Sequence, residues 1–476
     1  MLGDLPAVAW RRLALPLAVV LVVLSALSNG YGFDRDELYF AMLKPAWGYV
    51  DQPPLTPLLA HALASSYDGG PWLVRVPATL CAVGCVLVTA LLARELGGGA
   101  RAQAWTAWGM ATTSAVLVFG HVFLTSAPDL VAWGLVLLCV LRAELRDQPR
   151  WWLVAGVVAG LATYNKLLVL VLLAGIAVGL ALVGPRRRLA SPYVWGGAAL
   201  TALIGLPNVI YQLTHGVPQL RMGKALAENN AGEVRWFMWV FLLIALGPPL
   251  AVIWAVGLRA LWRDERVRFL VVVVAVVVLF TFVSGAQPHY PVFVLPLAFA
   301  AGIVAMEGRL GRVWGGLFAV NGAVSAVIGL PLVPVGSVGS TPVTGINLLA
   351  QDSIGWPAYT DQMTAPYDAL PDRAHAVVVT SNYGEAGAIA RYRPDIPVYS
   401  GQNALHDQAR PPDDTTTVVI VGGQYDLART LFSCRVVARL DNGVGVDNEE
   451  QGEPVAVCTD PRSGWPVIWD RLHHLD

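Results

Sequence analysis

The sequence predicts an α-helical polytopic membrane protein that crosses a bilayer about eleven times and carries a C-terminal soluble α/β domain. The chain is 55% hydrophobic and only 14% charged, whereas soluble domains carry about 25% charged residues. Its mean hydropathy is +0.56. Apolar runs bounded by charges stop near residue 335, and short β-rich runs follow. The expected domains are therefore 1–335 in the membrane and 336–476 outside it.

The apolar runs fall at about 13–29, 72–93, 102–119, 127–141, 151–164, 167–184, 190–213, 234–260, 267–284, 291–306 and 313–333. The first follows Arg11-Arg12 and lacks a clear small-residue cleavage site, so it reads as an uncleaved span. With a cytoplasmic N-terminus, every inner loop is basic, from Arg94 and Arg101 through Arg142, Arg146 and Arg150 to Arg309 and Arg312. The positive-inside rule then places the C-terminal domain on the extracytoplasmic face, most simply of a plasma membrane. Net charge is −1, which gives no pull toward nucleic acid.

The long outer loops, at about 30–71 and 214–233, are where function is expected. In the first, Leu38, Tyr39, Met42 and Leu43 form one helical stripe, and Leu55, Leu58, Leu59, Ala62 and Leu63 form another. Both segments read as amphipathic helices at the membrane surface, with Asp51 and Pro53-Pro54 leading into the second and Asp51 as its N-cap. In the tail, runs at Ala376–Thr380, Val398–Ser400, Thr417–Val421, Val436–Leu440 and Val455–Cys458 alternate with helix-like stretches near 384–392 and 425–432. That is a small α/β pattern. Cys434 and Cys458 could pair if the tail faces an oxidising compartment, while Cys81, Cys85 and Cys139 read as buried hydrophobes.

Chemistry-bearing residues concentrate on the outer side. Asp34, Asp36 and Glu37 open the first loop, with Arg35 reading as a solvated partner and the two aspartates as helix-start residues. A carboxylate at the edge of a low-dielectric region acquires a raised pKa, which suits a general base. Asp129, after Thr125-Ser126-Ala127-Pro128, is a second acid on the same face, though it also fits a helix start. Arg75, Lys166, Arg221, Lys224, Arg235 and the pair His289-Tyr290 are the candidates for binding an anionic headgroup, against the plainer reading of snorkelling.

The Asp36-Glu37 pair, the run Tyr49-Val50-Asp51-Gln52-Pro53-Pro54-Leu55, the Arg75 that follows and Asp129 together resemble glycosyltransferase family 39, over about residues 10–335. That family and its relatives, among them the protein O-mannosyltransferases and the lipid-A aminoarabinose transferase, share the GT-C membrane fold. The resemblance implies a polyprenyl-phosphate-linked sugar donor, an acceptor glycan, lipid or protein, and inverting transfer to a hydroxyl on the extracytoplasmic face. By matched position Asp36 is implied as the acceptor base with Glu37 beside it, Asp129 as the second acid, and Asp51, Tyr49 and Gln52 as part of the substrate loop. Gln52 stands where the aminoarabinose transferase has a lysine, so it can donate a hydrogen bond but brings no charge. His289-Tyr290-Pro291 resembles the family's Tyr-Pro stretch near the donor phosphate.

A divalent metal could be held by Asp36, Asp51 and Asp129, although these acids form no recognisable ligand motif, and no other cofactor is implied. Rival readings are another lipid-linked glycan enzyme, such as a ligase or polymerase, and a lipid or sugar transporter. A transporter would show charges at span centres and internal repeats. The spans here are nearly free of charge and show no repeat. A scaffold displaying the tail domain would not explain the acids gathered in the first loop.

Overall fold

The computed structural model describes residues 5–476. The chain divides into two compact units, one of Met1–Leu27, Gln52–Leu55 and Arg75–Leu330, the other of Ser28–Asp51, Thr56–Val74 and Pro331–Asp476. Most of the expected first outer loop thus groups with the C-terminal segment.

In the first unit each of the expected apolar runs is helical. Five described helices are long and apolar enough to cross a membrane, namely Trp10–Leu27, Trp72–Glu95, Ser126–Leu145, Pro192–Thr214 and Arg312–Gly329. A sixth arises if Pro218–Leu246 and Pro248–Arg263, bent by 87°, count as one broken span. The difference from the eleven runs is one of length. Trp151–Ala162 has 12 residues, rising about 18 Å against a hydrocarbon core of about 30 Å. Large apolar side chains such as Trp236, Val313 and Leu213 are exposed on this unit, as lipid rather than water would allow.

The breaks have identifiable causes. Gly247 adopts φ +98, a conformation that favours glycine, and Pro248 and Pro249 bring no N–H to continue the helix. The 102–119 run is also interrupted, into Ala100–Ala111 and Ser114–His121. Asn321, buried in the helix Arg312–Gly329, donates to the carbonyl of Leu246 at 3.2 Å and to that of Thr112 at 2.8 Å. One amide therefore satisfies open carbonyls at both breaks, as backbone in an apolar surrounding requires. The expected second outer loop is mostly helix, since Pro218–Leu246 includes Arg221, Lys224 and Arg235. Some of the arginines expected in inner loops are ion-paired. Fully buried Glu95 receives Arg142 at 2.6 Å, Arg94 at 3.3 Å and Arg146 at 3.4 Å.

The second unit contains a five-stranded sheet of β1 (Ala376–Thr380), β2 (Val398–Ser400), β3 (Thr417–Val421), β4 (Ser433–Arg439) and β5 (Pro454–Thr459), in the order β2-β1-β3-β5-β4. β1 runs parallel to β2 and β3, and β5 antiparallel to β3 and β4. All five expected strands are present, and the expected helices are Tyr383–Tyr392 and Tyr425–Leu431. Cys434 and Cys458, opposite one another on β4 and β5, form a disulfide.

The helix Arg35–Met42 corrects one expectation. Its Leu38 and Tyr39 are buried, and a Cβ on Gly387 would fall on the backbone of Leu38, so this helix lies directly on the helix Tyr383–Tyr392. Its apolar stripe is used for packing within the unit rather than for lying at a membrane surface. The second loop helix, Leu55–Ser66, starts at Leu55, so Asp51 lies upstream of its cap and is not the N-cap residue.

Close glycine approaches join the helix Ala251–Arg263 to Leu295–Met306: a Cβ on Gly257 would fall on the Ala298 carbonyl, and one on Gly302 on the Ile253 carbonyl. Overpacking a tight core costs about 1–3 kcal/mol. Gly257→Leu should therefore lower the thermal midpoint of the detergent-solubilised protein, while Gly316→Leu, which meets open space, should leave it unchanged. Equal midpoints for the two variants would contradict this packing.

Candidate active site

In the second unit the acids of the first loop are held by a helix start and by two phenols. Asp34 is the N-cap of Arg35–Met42 and accepts from the N–H of Asp36 at 3.0 Å, while the Glu37 carboxylate accepts from the N–H of Asp34 at 3.0 Å. This reciprocal capping box satisfies two otherwise open donors. It gives the buried Glu37 a structural task. Asp36 faces differently, and Tyr383 donates its hydroxyl to the Asp36 carboxylate at 2.8 Å.

Asp51 is hydrogen-bonded to the Tyr39 hydroxyl, and the Tyr39 and Tyr383 rings pack 4.5 Å apart. Burial, and next the nearby carboxylates, push both phenols well above the usual tyrosine range. They therefore remain donors at neutral pH, which orients the carboxylates. Burial likewise raises Asp34 well above the usual carboxylate range, with Asp352, Asp36 and Glu37 adding to it.

Arg35 is not the solvated partner expected of it. Its guanidinium lies 2.6 Å from Glu449 and 3.8 Å from both Asp352 and Glu450, and it sits over the Tyr383 ring at 5.4 Å. Tyr49 is buried and closes its own loop, donating to the Lys44 carbonyl at 3.0 Å and accepting from the Ala46 N–H at 3.2 Å.

In the first unit a second polar group gathers at the start of Ser126–Leu145. Asp129 is 0% exposed. Asn165 donates to its Oδ1 at 2.9 Å and to the Thr125 carbonyl at 2.7 Å, while Oδ2 is buried without a partner among the described residues. Lys166 reaches the Thr125 hydroxyl at 3.4 Å and lies 4.8 Å over the Tyr290 ring. Ser126 is 3.2 Å from His289 Nε2. Thus Asp129, Lys166, His289 and Tyr290, far apart in sequence, are brought to one helix start.

Arg75 is buried, with Nη1 3.1 Å from Nε2 of His121. Arginine only donates, so Nε2 accepts and the imidazole proton sits on Nδ1. That Nδ1 is itself buried without a partner among the described residues. Gln52, in the same unit, is buried.

Other predicted cations do not join this cluster. Lys224 pairs with Glu228 at 3.7 Å with its side chain 76% exposed, Arg221 donates to the His215 carbonyl at 3.0 Å, and Arg235 to the Phe282 carbonyl at 3.1 Å. Among the described residues no group of three or more His, Cys, Asp or Glu is placed to hold a metal ion. Sequence reasoning missed Tyr383, Asn165 and His121. For Asn165 there was a signal, an amide beside Lys166 in a very short connection. Tyr383, 347 residues from Asp36, had none.

A family model described as dolichyl-phosphate-mannose-protein mannosyltransferase matches residues 51–211. No curated protein matches the chain. Among solved structures, ArnT from Cupriavidus metallidurans in the apo state is similar at TM-score 0.63 and 17% identity, covering 94% of this chain and 97% of that one. The same protein bound to undecaprenyl phosphate gives 0.59 and 18%, covering 94% and 98%. Arabinofuranosyltransferase AftD from Mycobacteria gives 0.56 and 15%, covering 97% of this chain and 40% of that longer one. The chain is thus a multi-pass membrane protein with the GT-C fold, as the sequence resemblance implied.

The Asn165 amide ties Asp129 to the Thr125 carbonyl in a buried setting. Asn165→Leu leaves both acceptors without that donor, at about 1–3 kcal/mol for a stranded buried group. Thermal unfolding in detergent should show a clear drop in midpoint; a wild-type midpoint would show that Asn165 has no such role.

Proposed function

We propose that this protein is a membrane glycosyltransferase that moves a sugar from a polyprenyl-phosphate donor to an acceptor hydroxyl, with inversion, on the extracytoplasmic face. The observation that carries the reading is Lys166. Its ammonium is half-buried at the end of an apolar helix, with a hydroxyl and an aromatic face as neighbours and no ion pair within 4.0 Å among the described residues. Asp129 acts on it electrostatically from beyond ion-pair distance, and a partly desolvated cation whose counter-charge is not in contact is costly. A phosphate would supply that charge. The orphaned acceptor on Asp129 and orphaned donor on His121 are further groups that a polar ligand would satisfy.

The reaction that this reading implies is a single displacement. The acceptor hydroxyl gives its proton to the Asp36 carboxylate, its oxygen attacks the anomeric carbon, and the carbon–oxygen bond to phosphate breaks with its electron pair, releasing polyprenyl phosphate. Attack opposite the leaving group inverts the configuration. Tyr383 fixes the direction of Asp36, and Lys166 stabilises the charge that develops on the phosphate, as preorganised donors do in a water-poor site. ArnT, which shares the fold, is known with undecaprenyl phosphate bound, which supports the choice of donor. The arginine-rich inner loops and the Cys434–Cys458 disulfide, a bond that persists in oxidising compartments, support an extracytoplasmic C-terminal unit.

Asp36→Asn keeps the shape and removes the base, so transfer in reconstituted membranes should fall about 10²-fold or more. Near-normal turnover would move the role to another acid. Lys166→Gln should weaken binding of polyprenyl phosphate about 10-fold to 100-fold, since a charge-assisted hydrogen bond contributes about 1.5–3 kcal/mol. Unchanged affinity, measured by native mass spectrometry with the lipid alone, would refute the phosphate-binding assignment.

A further inference from the structure

The C-terminal α/β domain holds a polar crevice of about 260 Å³, lined among others by Arg35, Ser381, Gln402, Gly423, Gln424 and Glu453. Its place in the sheet is informative. β1 lies between β2 and β3, all three parallel, and the chain leaves β1 toward β2 on one side and β3 toward β4 and β5 on the other. Loops that diverge in this way leave a gap beyond the carboxyl ends of the two strands, where open α/β sheets bind ligands. Ser381 directly follows β1, and Gly422-Gly423-Gln424 directly follow β3. The crevice occupies that gap.

Its walls are rigidly held. Ser381 Oγ donates to the Val421 carbonyl at 2.6 Å and accepts from the Gln424 N–H at 2.7 Å, tying the two strand ends together. Gln424 donates to the Leu472 carbonyl at 3.1 Å and contacts His474 Nδ1 at 2.8 Å. Buried Asn403 adopts φ +49 and exchanges hydrogen bonds with the Asp476 backbone at 3.0 and 3.1 Å. Backbone strain of this kind persists only where the surroundings over-determine it, and it clusters at ligand sites.

The lining chemistry selects the ligand. Glu449, Glu453 and Asp476 line the crevice with a single guanidinium, Arg35, which Glu449 already engages, while burial pushes the Glu385 carboxyl up to about 8. An anionic ligand would be repelled, which excludes a phosphate. The Asn382 amide is engaged within the wall, but with Gln402 Oε1 taken by the Tyr383 N–H and Gln424 Nε2 by Leu472 and His474, Gln402 Nε2 and Gln424 Oε1 offer a donor and an acceptor beside the carboxylate oxygens, the set that hydroxyl groups use. Arg35 Nε is buried in this wall without a partner among the described residues. Arg35 also adjoins Asp36 on the same helix, so the crevice wall and the proposed base are neighbours in the chain.

The geometry points to this crevice as a subsite for a neutral, hydroxyl-rich saccharide unit of the acceptor. The assignment of that saccharide to the acceptor rests on the transferase reading; the binding site does not. Gly423 is exposed, and a Cβ there meets only Glu453 at 3.8 Å, so Gly423→Phe should fill the crevice without disturbing the fold. The test is saturation-transfer NMR on the full chain in detergent with a panel of neutral methyl hexosides and pentosides, alongside methyl glucuronide. Neutral glycosides should bind to wild type, at least about 10-fold more weakly to Glu453→Gln, and not at all to Gly423→Phe, whose thermal midpoint and affinity for polyprenyl phosphate stay at wild-type values. Absence of neutral-glycoside binding to wild type, binding that survives Gly423→Phe, or equal binding of the glucuronide would overturn the subsite. Failure of wild type to bind polyprenyl phosphate while the crevice still binds glycosides would instead overturn the transferase reading and leave the subsite standing.

Discussion

A buried polar group without a partner is the state that this structure is organised to avoid, because in an apolar surrounding no water can replace the missing hydrogen bond. Asn321 shows the constraint in its simplest form. Two helices break in the first unit, and one amide answers the carbonyls exposed at both. Glu95 meets the same demand with three arginines. Asn165 does so for a carboxylate and a backbone carbonyl together. Among the described residues the demand is left unmet at Asp129 Oδ2, His121 Nδ1 and Arg35 Nε, in the regions on which the functional reading rests, and also at Trp133 Nε1, Trp254 Nε1 and His406 Nε2, outside them.

The acids of the first loop divide into two kinds under this rule. Asp34 and Glu37 satisfy backbone N–H groups and start a helix. Asp36 and Asp51 each take a phenol as a donor instead, which orients the carboxylate without tying it to a helix start. The adjacent residues Asp36 and Glu37 therefore have different tasks, although in sequence they form one motif. The neighbouring Arg35 is drawn into an acidic pocket of the same unit.

Much of the architecture was legible in the sequence. Continuous apolar runs mark helices because a helix satisfies every backbone group within the run itself, and all five strands of the tail lie where β-branched runs stand between turn residues. Lys166 and Asp129 were also legible, since an isolated charge in a short connection or at a span start is costly without a purpose. Arg221, Lys224 and Arg235 looked equivalent to Lys166 by position. They differ because a long helix carries them outward into solvent and local carbonyl or acid contacts.

The sequence by itself determined the solvent of each segment, the strand and helix periods and the residue types available for chemistry, because these depend on local composition and spacing. Only the tertiary structure decided which apolar runs form helices long enough to cross a bilayer, that the stripe of Arg35–Met42 packs on Tyr383–Tyr392, and that Tyr383 supports Asp36 across 347 residues of chain. It also decided that the strand ends of β1 and β3 enclose a polar crevice. Contacts between distant segments depend on the path of the backbone and on the close approaches that residues such as Gly387 permit, and neither leaves a periodic trace in the sequence.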